Sequence, residues 1–471
     1  MPSTRRCAAP ATDSVPEGTP PLTDDAAPRF SVIRDPLWQN IHVQPEALRI
    51  VDTPAFQRLR RVKQLGLAHL VYPGATHTRF DHALGVYHLA RRALVLLEAA
   101  GQLGDVPPRD RELIPIAGLL HDIGHYPFSH ALEDLEVELV PQGHEEAAGR
   151  FLDDPDIRAA LGAFGADAAA RLHALILGRS DHPLQGLVSG SLDLDKIEYL
   201  KRDAMFCGVP YGEVDVDRLL ESLRVARDPA TGGQELGVAE QGLAALESLL
   251  FAKYQMFRNV YWHHAVRAAT VVFQRLVREA LHDGWADLES LARMGDEDLL
   301  SWLEARAGAH ASASAGRARE RWIPALRNRR LPKRAAEWSG DELPHEVAAW
   351  VSDDPRLRVE VEDRLSTDLG LEPGDLFLDY PAKPGMMALE ILVVRKEGDV
   401  LHLTSSGRAG LIDLPRLGRD LYNSARVLRV LTVSGVEVDR DALLKLLTWP
   451  DERIRALVRE ERSLLATAAE R

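Results

Sequence analysis

Apolar positions recur at helical spacing through most of the first 285 residues, the pattern of helices that each bury one face. The stretch "PEALRIVDTPAFQRLRRVKQLG" carries this period with one interruption, where Thr53 reads as an N-cap and Pro54 as the first residue of a second helix. "TRFDHALGVYHLARRALVLLEAA", "RELIPIAGLLHDIGH" and "HEEAAGRFL" predict three further helices. In "LDLDKIEYLKRDAMF", Leu194, Ile197 and Leu200 face one way, and "GLAALESLLFAKYQMFRNVYWHHAVRAATVVFQRLVREAL" is the longest helical tract. Together they predict a mostly helical domain from about residue 45 to 285. Beyond it the pattern changes. "ARAGAHASASAGRARER" is low in complexity and reads as a weak helix or a mobile connection, and "LRNRRLPKR" is a local basic cluster. Strand-like runs follow in "LFLDY", "ALEILVVRK", "DVLHLTS" and "VLRVLTV", with "RKEGDV" as a hairpin turn. The expected fold is mostly α, a helical core followed by a smaller C-terminal α+β region.

Composition narrows the class. A length of 471 residues suggests two or three domains, and 45% hydrophobic with 27% charged residues is ordinary for a water-soluble globular chain. No apolar run is long enough to span a bilayer, so no membrane association is expected. Residues 1–29 lack the apolar core of a secretory signal, and their Pro, Thr, Ser and Asp content reads as a disordered tail. The two cysteines, Cys7 and Cys207, do not suggest a structural disulfide, and a reducing cytoplasm is expected. A net charge of −14 argues against general binding to a nucleic-acid backbone, though a local basic pocket for a small anion remains compatible with it.

The candidate chemistry centres on "LLHDIGHYPFSHALED". His82 lies on one predicted helix, His121 and Asp122 sit side by side on the next, and Asp195 lies on a later one. Imidazole and carboxylate donors suit Mn, Fe, Ni or Zn without any cysteine, and a helical bundle can aim donors from three helices at one point. A lone His-Asp pair is more often a helix-end hydrogen bond, and His125 and His130 alone would pass for satisfied core histidines. The full order "H…HD…D" with apolar flanks favours a metal site.

The motifs "HTRFDHALGVYHLA", "LLHDIGHYPFSHALE", "GHEE" and "SLDLDKIEYLKRDA", with "DPLWQNIHVQPEALRIVDTPAFQRLRRVKQLG" before them, resemble the HD-domain phosphohydrolases. The branch resembled is that of the deoxynucleoside triphosphate triphosphohydrolases, including the dGTP-activated enzymes that carry SAM and HD domains. The resemblance runs from about residue 30 to 280, with a fainter echo at "RNRRLPK". It implies an HD domain over residues 30–285, a helical and basic connection over 286–334, and the α+β region over 335–471.

By resemblance the metal ligands would be His82, His121, Asp122 and Asp195. The ion would be one of Mn, Fe, Ni, Zn or Mg, with a second Mg bridging the triphosphate. His125, His130 and His144 match active-site histidines. His130, beside Glu133, would be the general acid, and Glu133 stands where some relatives have Asp. Arg79, Lys196 and Lys253 would neutralise the triphosphate. Gln64 and Leu65 would lie against the sugar, Tyr199 would crowd the 2′ position, and Asp203 would accept from the 3′-hydroxyl.

Asp52, Gln57 and Arg60 match positions that bind an activating dGTP or GTP at a subunit interface, in relatives that assemble as tetramers. Where relatives carry His-Gly after the Asp-Pro-aliphatic start, this chain has Trp38 and Gln39. The resemblance thus implies a metal-dependent dNTP triphosphohydrolase releasing deoxynucleoside and triphosphate. Its competitors are an HD phosphohydrolase for another nucleotide and a nucleotide-sensing module with dormant chemistry.

Overall fold

The structure is a computed structural model, and it describes residues 30–340, 342–343, 347–381, 389–403 and 414–469. The tail expected over residues 1–29, with Cys7, lies outside the described residues. The chain is mostly α, with three small sheets among the described residues. A hairpin of β1 (Ser31–Asp35) and β2 (Gln39–Val43) comes first. It leads into α1 (Pro45–Val51) and α2 (Pro54–Gln57). Thr53 caps α2 as its sequence suggests: its hydroxyl accepts from the Phe56 N–H at 3.3 Å, and Pro54 follows.

The scaffold of the site is α3 (Arg79–Ala99), α4 (Pro108–Leu120) and α8 (Leu194–Cys207), with α5 (His144–Leu152), α6 (Pro155–Leu161) and α7 (Ala168–Ile176) between them in sequence. A capping box fixes the start of α3, where the Asp81 carboxylate accepts from the Thr78 N–H at 2.8 Å. Eight consecutive residues of α4, Leu113–Leu120, are buried, so this helix runs through the core. Leu194, Ile197 and Leu200 bury the expected face of α8.

Several expectations are corrected. The helix of the HD motif ends at Leu120, so His121 is its C-cap and Asp122 lies in the turn beyond, rather than both sitting on the helix. Gly124 explains the sharp exit: a Cβ there would sit 2.1 Å from the His144 carbonyl and 2.4 Å from the Ala148 nitrogen. The longest helical tract is not continuous. It divides into α10 (Leu243–Met256), a π-helical turn at Phe257–Tyr261, and α11 (His264–His282), which the His263 side chain caps. Before it come α9 (Val216–Ser222) and a pair of strands absent from the expectation, β3 (Leu223–Arg227) and β4 (Gln234–Ala239).

After α12 (Leu288–Ala292) and α13 (Asp296–Ala309), the Ala/Ser-rich stretch is helical and packed, with Ser314 and Ala315 buried. The later strands are β5 (Lys333–Ser339), β6 (Leu376–Asp379), β7 (Ile391–Val394), β8 (Val400–Leu403) and β9 (Val427–Thr432). They belong to two sheets. One has the order β5-β9-β6, while β7 and β8 extend the earlier pair as β3-β4-β7-β8. β7 runs parallel to β4, so the sheet joins the C-terminal region to the helical core. No described helix is long and apolar enough to cross a membrane.

Candidate active site

Two clusters of ligand-type side chains meet where α3, the end of α4 and the start of α8 converge. In the first, the His82 Nε2 lies 3.2 Å from the His121 Nε2 and 2.9 Å from an Asp195 oxygen. The His121 Nε2 lies 3.3 Å from an Asp122 oxygen and 3.5 Å from the same Asp195 oxygen. The other nitrogen of each ring is occupied. The His82 Nδ1 meets Glu198 at 2.6 Å, and the His121 Nδ1 meets the Gly118 carbonyl at 2.8 Å. Both Nδ1 atoms face acceptors, which suits a proton on Nδ1 and leaves the two Nε2 atoms facing each other among carboxylates. That arrangement calls for a cation. Burial opposes protonation of His82, yet Asp195, Glu198 and Asp122 together push its pKa up to about 10, so these carboxylates draw positive charge to the Nε2, a place that a proton or a bound ion would take. His82, His121 and Asp122 bring one donor atom each within 4.8 Å of one another, and Asp195 adds a carboxylate oxygen beside both imidazoles, a donor set that fits a divalent ion.

Residues around this cluster were not singled out in the sequence. Glu198, fully buried, also accepts from the Trp38 indole at 2.9 Å and from the Arg202 Nε at 2.8 Å. Arg202 continues to Asp35 at 2.9 Å. Asp35 in turn accepts from the Trp38 N–H at 2.7 Å. Gly85 leaves room for Glu198, since a Cβ there would lie 1.9 Å from its carboxylate. In sequence Glu198 and Arg202 are an acid and a base four apart on a helix, a spacing equally compatible with an exposed pair, and Asp195 on the same helix is the signal that could have drawn attention to them.

The second cluster adjoins the first through His125, whose Nε2 is 3.1 Å from Asp122. The His125 ring stacks on His144 with centroids 3.8 Å apart. Glu133 bridges two imidazoles, one oxygen 2.8 Å from the His130 Nδ1 and the other 2.8 Å from the His144 Nδ1. Burial works against ionisation of Glu133, but His130 and His144 hold its carboxyl well below the usual range. His144 is shifted upward: burial opposes its charge, and Glu133 more than offsets that. Burial, then Arg79 and His144, depress His125 and keep it neutral. His130 is the open member, with its side chain 49% exposed. Imidazoles and a carboxylate joined in this way can pass a proton, and one face of the set is toward solvent.

The other expected residues fall in three groups. Arg79 is enclosed rather than offered to a phosphate: it meets Asp122 at 2.7 Å and donates to the Ser129 hydroxyl at 3.1 Å. Lys196, half-buried, donates to the Gly190 carbonyl at 2.8 Å and pairs with Asp193, and Lys253 is buried on α10. Gln64 is buried with its side-chain oxygen unpartnered, beside half-buried Leu65. Tyr199 is half-buried, 6.4 Å between ring centroids from Tyr261. Asp203 is already bound by two side chains the sequence reading passed over, His77 at 2.7 Å and the Tyr261 hydroxyl at 2.6 Å. At the surface, Gln57 accepts from the Arg60 Nε at 2.8 Å, the Arg60 guanidinium covers Phe80 at 3.5 Å, and Asp52 is exposed on the same segment.

The sequence pattern of the HD domain matches residues 79–187, and that of the HD associated region matches residues 214–408. An uncharacterized protein of Methanocaldococcus jannaschii is 32% identical over 372 residues, 78% of this chain and 73% of its own length. A Dictyostelium discoideum protein named as a homolog of the deoxynucleoside triphosphate triphosphohydrolase SAMHD1 is 27% identical over 341 residues. That match covers 67% of this chain and 64% of the relative, so the chain spans less than two thirds of it. A solved structure of a hypothetical protein from Aquifex aeolicus superposes with a TM-score of 0.64 at 27% identity, covering 93% of this chain and all of that one.

Proposed function

The chain belongs to the HD-domain family of phosphohydrolases, in its deoxynucleoside-triphosphate-triphosphohydrolase-like branch, and from that premise we propose that it cleaves dNTPs to a deoxynucleoside and intact triphosphate. The observation that carries this reading is the junction of the two clusters: a cation-demanding His82, His121, Asp122 and Asp195 set joined through His125 to an open His130–Glu133 pair. A divalent ion held by those four residues supplies Lewis acidity toward water and a phosphoryl oxygen. Arg79 fixes the orientation of Asp122, and Glu198 fixes His82 with its Nε2 free. Water attacks the α-phosphorus, the bond to the 5′ oxygen breaks, and the His130 Nε2 delivers a proton to that oxygen. Glu133 holds the His130 Nδ1–H, which sets the tautomer and stabilises the imidazolium before transfer. Gln64, Leu65, Tyr199 and Asp203 form the sugar side of the site in this reading, and Asp203 receives the 3′-hydroxyl through the network it shares with His77 and Tyr261. Lys196 and Lys253 contribute positive potential, while Arg79 acts on the metal ligand. Asp52, Gln57 and Arg60 form the activator site for dGTP or GTP, coupled to catalysis by assembly into a homotetramer.

The test is incubation of the purified chain with each dNTP and NTP, with Mn or Mg, with and without dilute GTP, followed by anion-exchange separation of products. Deoxynucleoside with triphosphate, abolished in Asp195→Ala, supports the reading. A GTP requirement lost in Arg60→Ala supports the activator site. No turnover of any triphosphate with either metal would sink the triphosphohydrolase assignment.

A further inference from the structure

Asp296 opens α13, within the HD associated region and outside the matched HD domain. Its carboxylate is fully buried and spans two segments of the site. One oxygen accepts from the Phe128 N–H at 2.7 Å, and the other accepts from the Lys63 N–H at 3.0 Å. The Lys63 ammonium stands 3.7 Å away. Lys63 immediately precedes Gln64 and Leu65. Phe128 and Ser129 immediately precede His130.

That second segment is strained. Phe128 and Ser129 lie at φ 59° and 54°, the left-handed region that side chains other than glycine disfavour. Such a turn persists only where its surroundings over-determine it. The surroundings are on the page: Asp296 holds the Phe128 N–H, Ser129 donates to the Lys63 carbonyl at 3.1 Å, and Arg58 donates to the Ile123 and His125 carbonyls at 2.7 and 3.0 Å. The turn carries the chain back so that the His130 Nδ1 reaches Glu133. Asp296 reaches the turn because Gly295 lets the backbone close on Arg61, where a Cβ would lie 2.5 Å from the Arg61 Cβ and 2.8 Å from its carbonyl oxygen.

We propose that Asp296 is a positioning residue: from the HD associated region it pins the strained Phe128–Ser129 turn to the Lys63–Leu65 segment and so sets the aim of His130. The inference rests on the proposed role of His130 as proton donor. It assigns the associated region a part in the chemistry. Asp296 touches no metal ligand, so its loss acts on proton delivery and leaves metal loading in place.

The test is Asp296→Asn, which keeps the volume but sets an NH2 group against one of the two N–H donors. The expected result is a kcat lowered about tenfold to hundredfold, the penalty of a catalytic group misplaced by about an ångström. KM and Mn content should stay near the wild-type values. Hydrogen–deuterium exchange should quicken only in peptides covering residues 60–66 and 122–132. Gly295→Ala, which pushes α13 away while keeping the carboxylate, should reproduce the same split. A kcat equal to wild type overturns the proposal, as does a fall in kcat matched by loss of metal and faster exchange throughout the chain. If the wild-type chain turns over no dNTP, the proposed function fails separately. The exchange pattern then decides alone, and unchanged exchange over residues 122–132 overturns the positioning role.

Discussion

Replacing Glu198 by Gln should weaken metal binding although Glu198 is not itself a ligand. The buried carboxylate accepts from three side chains: Trp38 and Arg202 on one oxygen and His82 on the other. Gln fits the same space but can accept on one side only. With its oxygen toward Trp38 and Arg202, its NH2 group faces the His82 Nδ1–H. His82 then moves its proton to Nε2 and loses the lone pair that serves the ion. Flipped, the NH2 group opposes a buried guanidinium and an indole N–H, which is worse. Either way a charge-assisted hydrogen bond to the carboxylate is lost or replaced by a neutral one, at about 1.5–3 kcal/mol. At 1.4 kcal/mol per decade this is roughly a 10- to 150-fold loss of Mn affinity, the range typical for partners that orient a ligating histidine. Competition of the apo chain against a fluorescent chelator measures it, with thermal unfolding as a check that the fold is kept. A Mn affinity within about twofold of wild type would refute the tautomer argument, because that argument requires a loss near tenfold or more.

Gly85→Ala should act on the same residue from the other side. In an ordinary helix interior the change would stabilise by about 1 kcal/mol. Here the new Cβ meets the Glu198 carboxylate at 1.9 Å, so calorimetric titration should show weaker Mn binding; unchanged binding would mean that Glu198 moves without cost. Arg58→Ala leaves the Ile123, His125 and Met294 carbonyls without their donor, and should lower unfolding stability by about 3 kcal/mol in denaturant titrations. Glu362 predicts a pH effect. Burial, against the pull of Arg358 and Arg275, raises its pKa to about 7. Between the ordinary carboxyl value and pH 7 the native state therefore holds a proton that the unfolded chain has released, and stability falls as pH rises through that window. The loss is about 3 kcal/mol, and in Glu362→Gln that component of the pH dependence should vanish from urea titrations at pH 5 and 8.

The amphipathic helices were legible because their signals are local. Thr53-Pro54 marks a cap, and Leu194, Ile197 and Leu200 mark a buried face that the structure shows. His82, His121, Asp122 and Asp195 could be grouped from order and resemblance; the structure clusters donor atoms of His82, His121 and Asp122 and sets Asp195 beside both imidazoles. The β1–β2 and β3–β4 hairpins were not legible. Their strands have five or six residues, and several of those are charged or polar residues facing solvent. Nor was the break in the longest helical tract, since "NVYWHHAV" keeps a helical hydrophobic period through the π turn at Phe257–Tyr261 and past Trp262. Glu198 and Arg202 were hidden for a physical reason: an acid and a base four apart on a helix look solvated unless something distant buries them. Here that something is Trp38 and Asp35, some 160 residues upstream.

The two clusters are built on different kinds of backbone, and the difference matches what each must do. The proposed metal donors stand at or beside helix ends: His82 within the first turns of α3, His121 at the cap of α4 with Asp122 in the turn just beyond it, and Asp195 in the first turn of α8. An ion tolerates little variation in donor geometry, and helices locked by a shared core supply little. His130 sits instead in a single 3-10 turn, Ser129–Ala131, entered through the left-handed Phe128 and Ser129, exposed on one side and held by Glu133 on the other. In the proposed mechanism its proton must meet a leaving oxygen whose position depends on the bound substrate, which a short turn accommodates better than a long helix. The liability of a loop is drift. Arg58, Ser129 and Asp296 answer it by tying carbonyls and N–H groups of this turn to segments distant in sequence. If His130 is the proton donor proposed above, its precision depends on the packed interior between the HD domain and its associated region, and substitutions in that interior should disturb proton delivery before they disturb metal binding.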